Sequence, residues 1–443
     1  MEAALSTVLI PAESRRSYSV RNPERRGWSG APGFGLATVG ITLGLGSAWR
    51  LPVLLDLYGG GAFLLMYLAA LVAIGLPVLM AELMIGRRGR ATPAGCYDRV
   101  ARQEGRPCRW RWIAGIGAAA GTLILGATSS IPATAALWLV QGKGPASMGA
   151  GVIAQGLLYG LLGAVAATPE RFRSRLLVGS VGAVLVLLLG ITVRALMHGP
   201  SVDVLLGVLE PDPSRTTAHG ALDALRLALL TLGLCFGTVM TYGAELPSSR
   251  SIVRVSGVML LSAVAAAVLV LLLVTATLSG VHLPPLAPEH LLLGQIPLVL
   301  GAGVGTGLEV WYAMVLVAGV LGGFAVLESA SAQFTTMFRM RRGPAVLLSA
   351  GAAWLVATAG EVAGPRWHLD RAVLRLATDV LVPGAVLGLA IFAGWAMSRR
   401  ATRTELGLGS SAAFRLWRGA IRYGVPAVLT AAVVAGLAGL LAR

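Results

Sequence analysis

The sequence predicts an all-α polytopic membrane protein with about eleven transmembrane helices, built as a 5+5 inverted repeat whose first and sixth helices are broken. Three observations predict it. Of 443 residues, 56% are hydrophobic and only 13% are charged, roughly half the charge of a soluble chain. Apolar stretches of about 20 residues, the length that crosses a bilayer, recur from end to end. Two of these stretches are interrupted by glycine in matching positions of the two halves: Gly44 and Gly46 in the first, Gly233 and Gly237 in the sixth. A break in the hydrocarbon region strands backbone polar groups unless it lines a cavity or binds something.

Read in order, residues 1–32 form a polar, Arg-rich tail without the apolar core and cleavage site of a removable signal peptide. The first span is then expected to act as the internal signal. Spans follow at roughly 33–55, 60–86, 112–140, 147–167 and 176–197, giving a first repeat over 33–197. A second repeat over 222–398 holds spans at 222–245, 253–280, 305–336, 344–362 and 371–398. Residues 399–443 are a loop and a peripheral eleventh helix, 423–442. The run Gly301, Gly303, Gly305, Gly307 follows no strand, so it reads as a flexible entry to the eighth span rather than a nucleotide loop.

The net charge of +16 invites a nucleic-acid reading, which the placement of the charges opposes. With the N-terminus inside, 27 of the 36 Lys+Arg fall in cytoplasmic segments, and the outer loops hold Lys143, Arg215, Arg366 and Arg371. That is the positive-inside bias, with a basic face set against anionic lipid. The expected partners are a lipid bilayer and a small-molecule substrate, with no nucleic acid and an open oligomeric state. Cys96 and Cys108 share a loop without His partners, which argues against zinc and against a disulfide. The five His residues lie in outer loops or at span ends, away from any buried nucleophile, so neither an enzyme nor a cofactor is expected. Arg outnumbers Lys 35 to 1, which suggests a GC-rich bacterial genome and the cytoplasmic (inner) membrane.

The run Gly44-Leu45-Gly46-Ser47-Ala48-Trp49-Arg50-Leu51-Pro52, then Gly59-Gly60-Gly61-Ala62-Phe63, then Gly75-Leu76-Pro77, Glu82 and Gly86-Arg87, closely resembles the neurotransmitter:sodium symporter family. The resemblance is strong over 25–90, clear over 230–245, recognisable over 311–330 and 370–395, and weak in the third, fourth, fifth and ninth spans. It implies secondary transport of an amino acid or small amine by alternating access. By resemblance, the substrate carboxylate would meet the amides of Leu45 and Gly46, near Thr128, Thr231, Gly233, Cys235 and an aromatic lid at Phe236. Cys235 reads as an apolar wall or, with no basic neighbour to lower its pKa, less readily as a reactive thiol.

The cation positions implied by the resemblance are degenerate. The first sodium site would draw on Thr42, Ser47 and Thr231. The family's side-chain amides are missing, because the only Asn is Asn22 in the tail. The second would use the carbonyls of Gly40, Leu43 and Ala318. Leu321 and Gly322 stand where two hydroxyls belong, and no Ser or Thr lies between Thr306 and Ser329. Arg50 matches an outer gate residue whose acidic partner reads Leu374, with Asp370 as a substitute; alternatively it snorkels to the interface. Arg25 and Trp28 match an inner latch, whose acidic partner reads near Thr336. Glu82 is read as a brace or a proton carrier, and Glu328 as a second carrier candidate, so the coupling ion is sodium, a proton, or neither. The alternatives to an altered transporter are a conventional sodium:amino-acid symporter and a non-transporting sensor or accessory relative.

Overall fold

The computed structural model describes residues 31–44, 47–142, 147–168, 170–198, 202–278, 290–301, 307–367, 369–408 and 410–442. Among them, nine helices are long and apolar enough to cross a membrane. The first and sixth spans are absent from that nine because each is divided into short halves, as the glycines predict.

The first span is α1 (Ala31–Gly44) followed by α2 (Ser47–Leu57). A turn through Gly59 and Gly60 leads into α3 (Gly61–Gly89). Gly59 and Gly60 have φ of 89° and 54°, where a side chain is strained. The run of three glycines has a second cause. The segment around 208–212 crosses against it, with Gly61 N–H donating to the Glu210 carbonyl at 3.2 Å and Asp212 N–H to the Gly59 carbonyl at 3.1 Å. A Cβ on Gly60 would lie 2.6 Å from the Val208 carbonyl oxygen.

After a short helix α4 (Pro93–Gln103), the third span runs as α5 (Arg111–Thr128) and α6 (Ser130–Gln141). The junction at Ser129 has a local cause: Pro132 lacks an N–H and its ring crowds the carbonyl four residues back. α7 (Met148–Ala167) and α8 (Glu170–His198) complete the first half. The sixth span is α9 (Ala218–Thr231) and α10 (Thr238–Glu245). Thr217 caps α9 by accepting from Gly220 N–H at 3.1 Å. The intervening backbone takes positive φ at Gly233, Cys235 and Gly237. α11 (Ile252–Leu278), α12 (Gly307–Met337), α13 (Arg342–Trp367) and α14 (Leu369–Ala396) follow. A short α15 (Arg399–Leu406) and the outlying α16 (Ser411–Leu441) end the described chain.

α1 packs against α11 and α12, and α10 packs against the second half of α3. The α3–α10 contact is backbone on backbone, because Gly86 faces Met240 and Gly243 faces Leu83 without side chains between them. Small residues permit such approach where no hydrophobic force separates helix from lipid. Arg87, next to Gly86, is buried and reaches the Glu405 carboxylate at 2.9 Å and the Arg250 carbonyl at 2.8 Å. The Gly-Arg pair of the motif is therefore a packing contact beside a clamp.

Candidate functional site

A cavity of about 740 Å³ runs from the ends of α2 and α9, at Leu57 and His219, down to Leu43 in the last turn of α1. Its deep wall is mostly aliphatic, with Ile124, Leu125, Leu230, Val315 and Ala318 around the Thr128 hydroxyl. That hydroxyl donates to the Ile124 carbonyl at 2.8 Å. Trp49, on the cavity side of α2, packs edge-on against Trp311 of α12, with centroids 5.7 Å apart.

At mid-height the wall is ionic. Arg226 bridges Asp223 at 3.0 Å and Asp379 of α14 at 3.3 Å. Tyr58 O–H donates to Asp223 at 2.8 Å and Thr378 O–H to Asp379 at 2.7 Å. Arg50 lines the same cavity. The carboxylates near enough to act on its charge are Asp223 and Asp379, with Arg226 opposing them. Asp370, the sequence-level partner for Arg50, also lines the cavity but makes no ion pair with it. The acid that closes a pair across this wall is Asp379, and its cation is Arg226. Sequence matching missed both, because the pair joins α9 to α14 rather than α2 to α14. The one available signal was two opposite charges inside otherwise apolar spans.

Beneath the cavity lies the α9–α10 break. Cys235 N–H donates to Glu82 Oε2 at 3.0 Å. The Phe236 carbonyl accepts from Ser329 Oγ at 2.6 Å and from Gln333 Nε2 at 3.4 Å. Gly237 is φ +88°, and a Cβ there would sit 2.8 Å from Pro93 Cγ and Gln333 Nε2. Two backbone groups of the turn, the Cys235 N–H and the Phe236 carbonyl, thus meet side chains from α3 and α12, as burial in a membrane core favours. Ser329 and Gln333 were not singled out in the sequence; they lie one helical turn apart on α12.

The substrate-side positions divide accordingly. Thr128 is on the cavity. Gly233, Cys235 and Phe236 are buried off it. Phe236 is no lid: its ring lies under the cavity beside Gly121, where a Cβ would be 3.3 Å away. The residue on the cavity wall at that level is Leu230. Leu45, Gly46, Arg25 and Trp28 lie outside the described residues.

Among the cation positions, Leu43 and Ala318 line the cavity, while Gly40 faces Val181. Thr42, Ser47 and Thr231 form a buried hydroxyl cluster. Thr42 O–H reaches the Thr231 carbonyl at 2.8 Å, and Ser47 O–H donates to the Thr42 carbonyl at 3.0 Å. Tyr67 O–H donates to Thr231 Oγ1 at 3.1 Å. Glu82 is fully buried at the break. Glu328 is not buried as a carrier would be: its side chain is 34% exposed and pairs with Arg342 at 3.4 Å, because the end of α12 meets the start of α13. Thr336 is engaged with Thr92, hydroxyl to hydroxyl, at 2.5 Å.

With this geometry in place, comparison with known proteins identifies the relatives. The profile of the family described as the sodium:neurotransmitter symporter family matches residues 25–105. Over those residues the chain is similar to that family. A sodium-dependent transporter of Haemophilus influenzae is 20% identical over 95% of this chain and 100% of its own length. A sodium-dependent neutral amino acid transporter, B(0)AT2, of Pongo abelii is 42% identical over 82 residues, 18% of this chain and 11% of that protein. The crystal structure of MhsT in complex with L-phenylalanine superposes with a TM-score of 0.78 at 23% identity, covering 92% of this chain and 99% of that one. That likeness establishes the fold. The matching family and the relatives named here are transporters.

Proposed function

We propose that the protein carries an amino acid or small amine across the bacterial cytoplasmic membrane by alternating access, with its N-terminus inside. The carrying observation is a cavity that descends from one end of the helices and stops at the junction of two broken spans. By the family resemblance, the amides of Leu45 and Gly46, which precede α2 in sequence, would receive a carboxylate, helped by the positive end of the helix dipole. Thr128 and the aliphatic wall would hold the rest of the substrate. The relatives support an amino-acid substrate: B(0)AT2 is a neutral amino acid transporter, and MhsT was crystallised with L-phenylalanine. The Arg226–Asp379 pair is the charged contact across the upper cavity. Glu82 serves as a brace through Oε2, which accepts from Cys235 N–H. Coupling does not run through sodium at the two family positions.

The test is thermal unfolding of the purified chain against a panel of amino acids and amines, in sodium and in choline buffers. A ligand that binds only the folded state raises stability by mass action. Equal shifts in both buffers are expected. A shift that needs sodium would restore a conventional symporter, and no shift with any ligand would favour a non-transporting relative.

A further inference from the structure

The two broken spans meet at the carboxyl ends of their first halves. α1 ends at Gly44 and α9 at Thr231. Each end carries carbonyls without an intrahelical donor and the negative end of a helix dipole. Two such ends side by side in a dry interior call for a cation or for hydrogen-bond donors.

Here the donors are hydroxyls. Thr42 Oγ1 lies 2.9 Å from the Thr38 carbonyl in its own helix and 2.8 Å from the Thr231 carbonyl of α9. Its one proton is shared between them, and the second contact ties the first span to the sixth. Ser47, the first residue of α2, donates back across the break to the Thr42 carbonyl. Thr231 Oγ1 accepts from Tyr67 and gives its own proton to the Leu227 carbonyl at 2.7 Å. Thr38, Thr42, Ser47, Tyr67 and Thr231 are each at most 1% exposed. The two carbonyls facing the gap, Thr42 and Thr231, therefore already have donors, and among the described residues no carboxylate or amide side chain joins them.

A sodium ion does not fit this donor set. It needs several free oxygens to replace its water shell, and the oxygens here are spent on one another. The second family position fits no better. Leu321 and Gly322 bring no side-chain oxygen, and Gly40 abuts Val181 at 3.1 Å from its ideal Cβ. We infer that the Thr42 hydroxyl takes the place of the coupling cation, joining the two broken helices by a permanent hydrogen bond, so that this site has no use for sodium. The consequence for transport, sodium-free substrate binding, rests on the function proposed above; the bond itself does not.

The test uses the full chain in detergent, without substrate, melted in sodium chloride and in choline chloride at equal ionic strength. The wild type and Thr42→Ser keep the hydroxyl and should melt alike in both salts. Thr42→Ala should melt about 2 °C lower in choline. Thr42→Ala with Ser47→Asn, which frees the Thr231 carbonyl and adds an amide oxygen, should gain a saturable rise in Tm with sodium. A purely structural hydrogen bond would not create that response. Saturable stabilisation of the wild type by sodium overturns the inference. So does an alanine variant as stable as the wild type, and so does a double variant indifferent to sodium. The amino-acid panel, run on the wild type, judges the transport reading separately: its failure leaves the comparison of salts intact.

Discussion

The two helix breaks face the same problem and are held by different means. The α9–α10 break is held from outside, by Glu82 of α3 on the Cys235 amide and by Ser329 and Gln333 of α12 on the Phe236 carbonyl. It also tolerates a non-glycine residue, Cys235, at φ 63°. The α1–α2 break is held by small hydroxyls, those of Ser47 on its far side and Thr42 on its near side. The first arrangement fixes a turn between large neighbours. The second ties the break to its neighbours by short hydroxyl-to-carbonyl bonds, one of them to the sixth span itself.

Substitutions at Glu82, Gly117, Arg226 and Glu104 break or sharpen that contrast. The largest effect is expected for Glu82→Ala, which strands the buried Cys235 amide and opens a hole, costing about 4 kcal/mol. Glu82→Gln keeps the shape and should cost clearly less, as chemical or thermal unfolding would show. Next comes Gly117→Ala. Its Cβ would collide with the Cys235 carbonyl, so a loss of about 3 kcal/mol is expected. A tolerated alanine there would mean that the sixth-span break can shift to admit a side chain.

The ionic wall above both breaks is a third case. Arg226→Gln leaves Asp223 and Asp379 facing each other without their cation, and a loss of about 1–2 kcal/mol is expected. A double-mutant cycle with Asp379→Asn should return a coupling of about 1 kcal/mol. Zero coupling would remove Arg226–Asp379 as the contact between α9 and α14.

The smallest effect lies away from the membrane core and serves as a control. Burial alone would raise the Glu104 carboxyl, but the Ser398 amide and Arg88 outweigh it and hold it below the usual carboxylate range. A depressed folded-state pKa stabilises above the unfolded value and is lost as pH falls through the folded one. Glu104→Gln should therefore cost below about 1 kcal/mol at pH 7. The difference from wild type should begin to shrink below about pH 4, where the unfolded carboxyl takes up its proton, and vanish once pH has fallen through the lower folded value. A constant gap across pH would show that Glu104 acts by shape rather than charge.

Much of the architecture was legible because it is local. Hydropathy marks the spans, and Gly44, Gly233 and Gly237 mark both breaks, since only residues tolerant of unusual φ or close packing sit comfortably there. The site was legible only in part. Thr128, Arg50, Leu43 and Ala318 do reach the cavity. Phe236 does not, because the turn at Gly233–Gly237 rotates its ring beneath the cavity. Glu328 does not serve as a buried acid, because α13 delivers Arg342 to it.

The sequence by itself determined the membrane class, the number of spans and the two interruptions, all properties of consecutive residues. The tertiary structure decided which groups satisfy the interruptions and which charges pair. Thr42 meets Thr231 across 189 residues and Cys235 meets Glu82 across 153, and Arg226 finds Asp379 rather than Arg50 finding Asp370. The physical reason is that hydrogen bonds and ion pairs form over a few ångströms. Their partners are set by which helix faces pack together, and no local pattern in the chain records that.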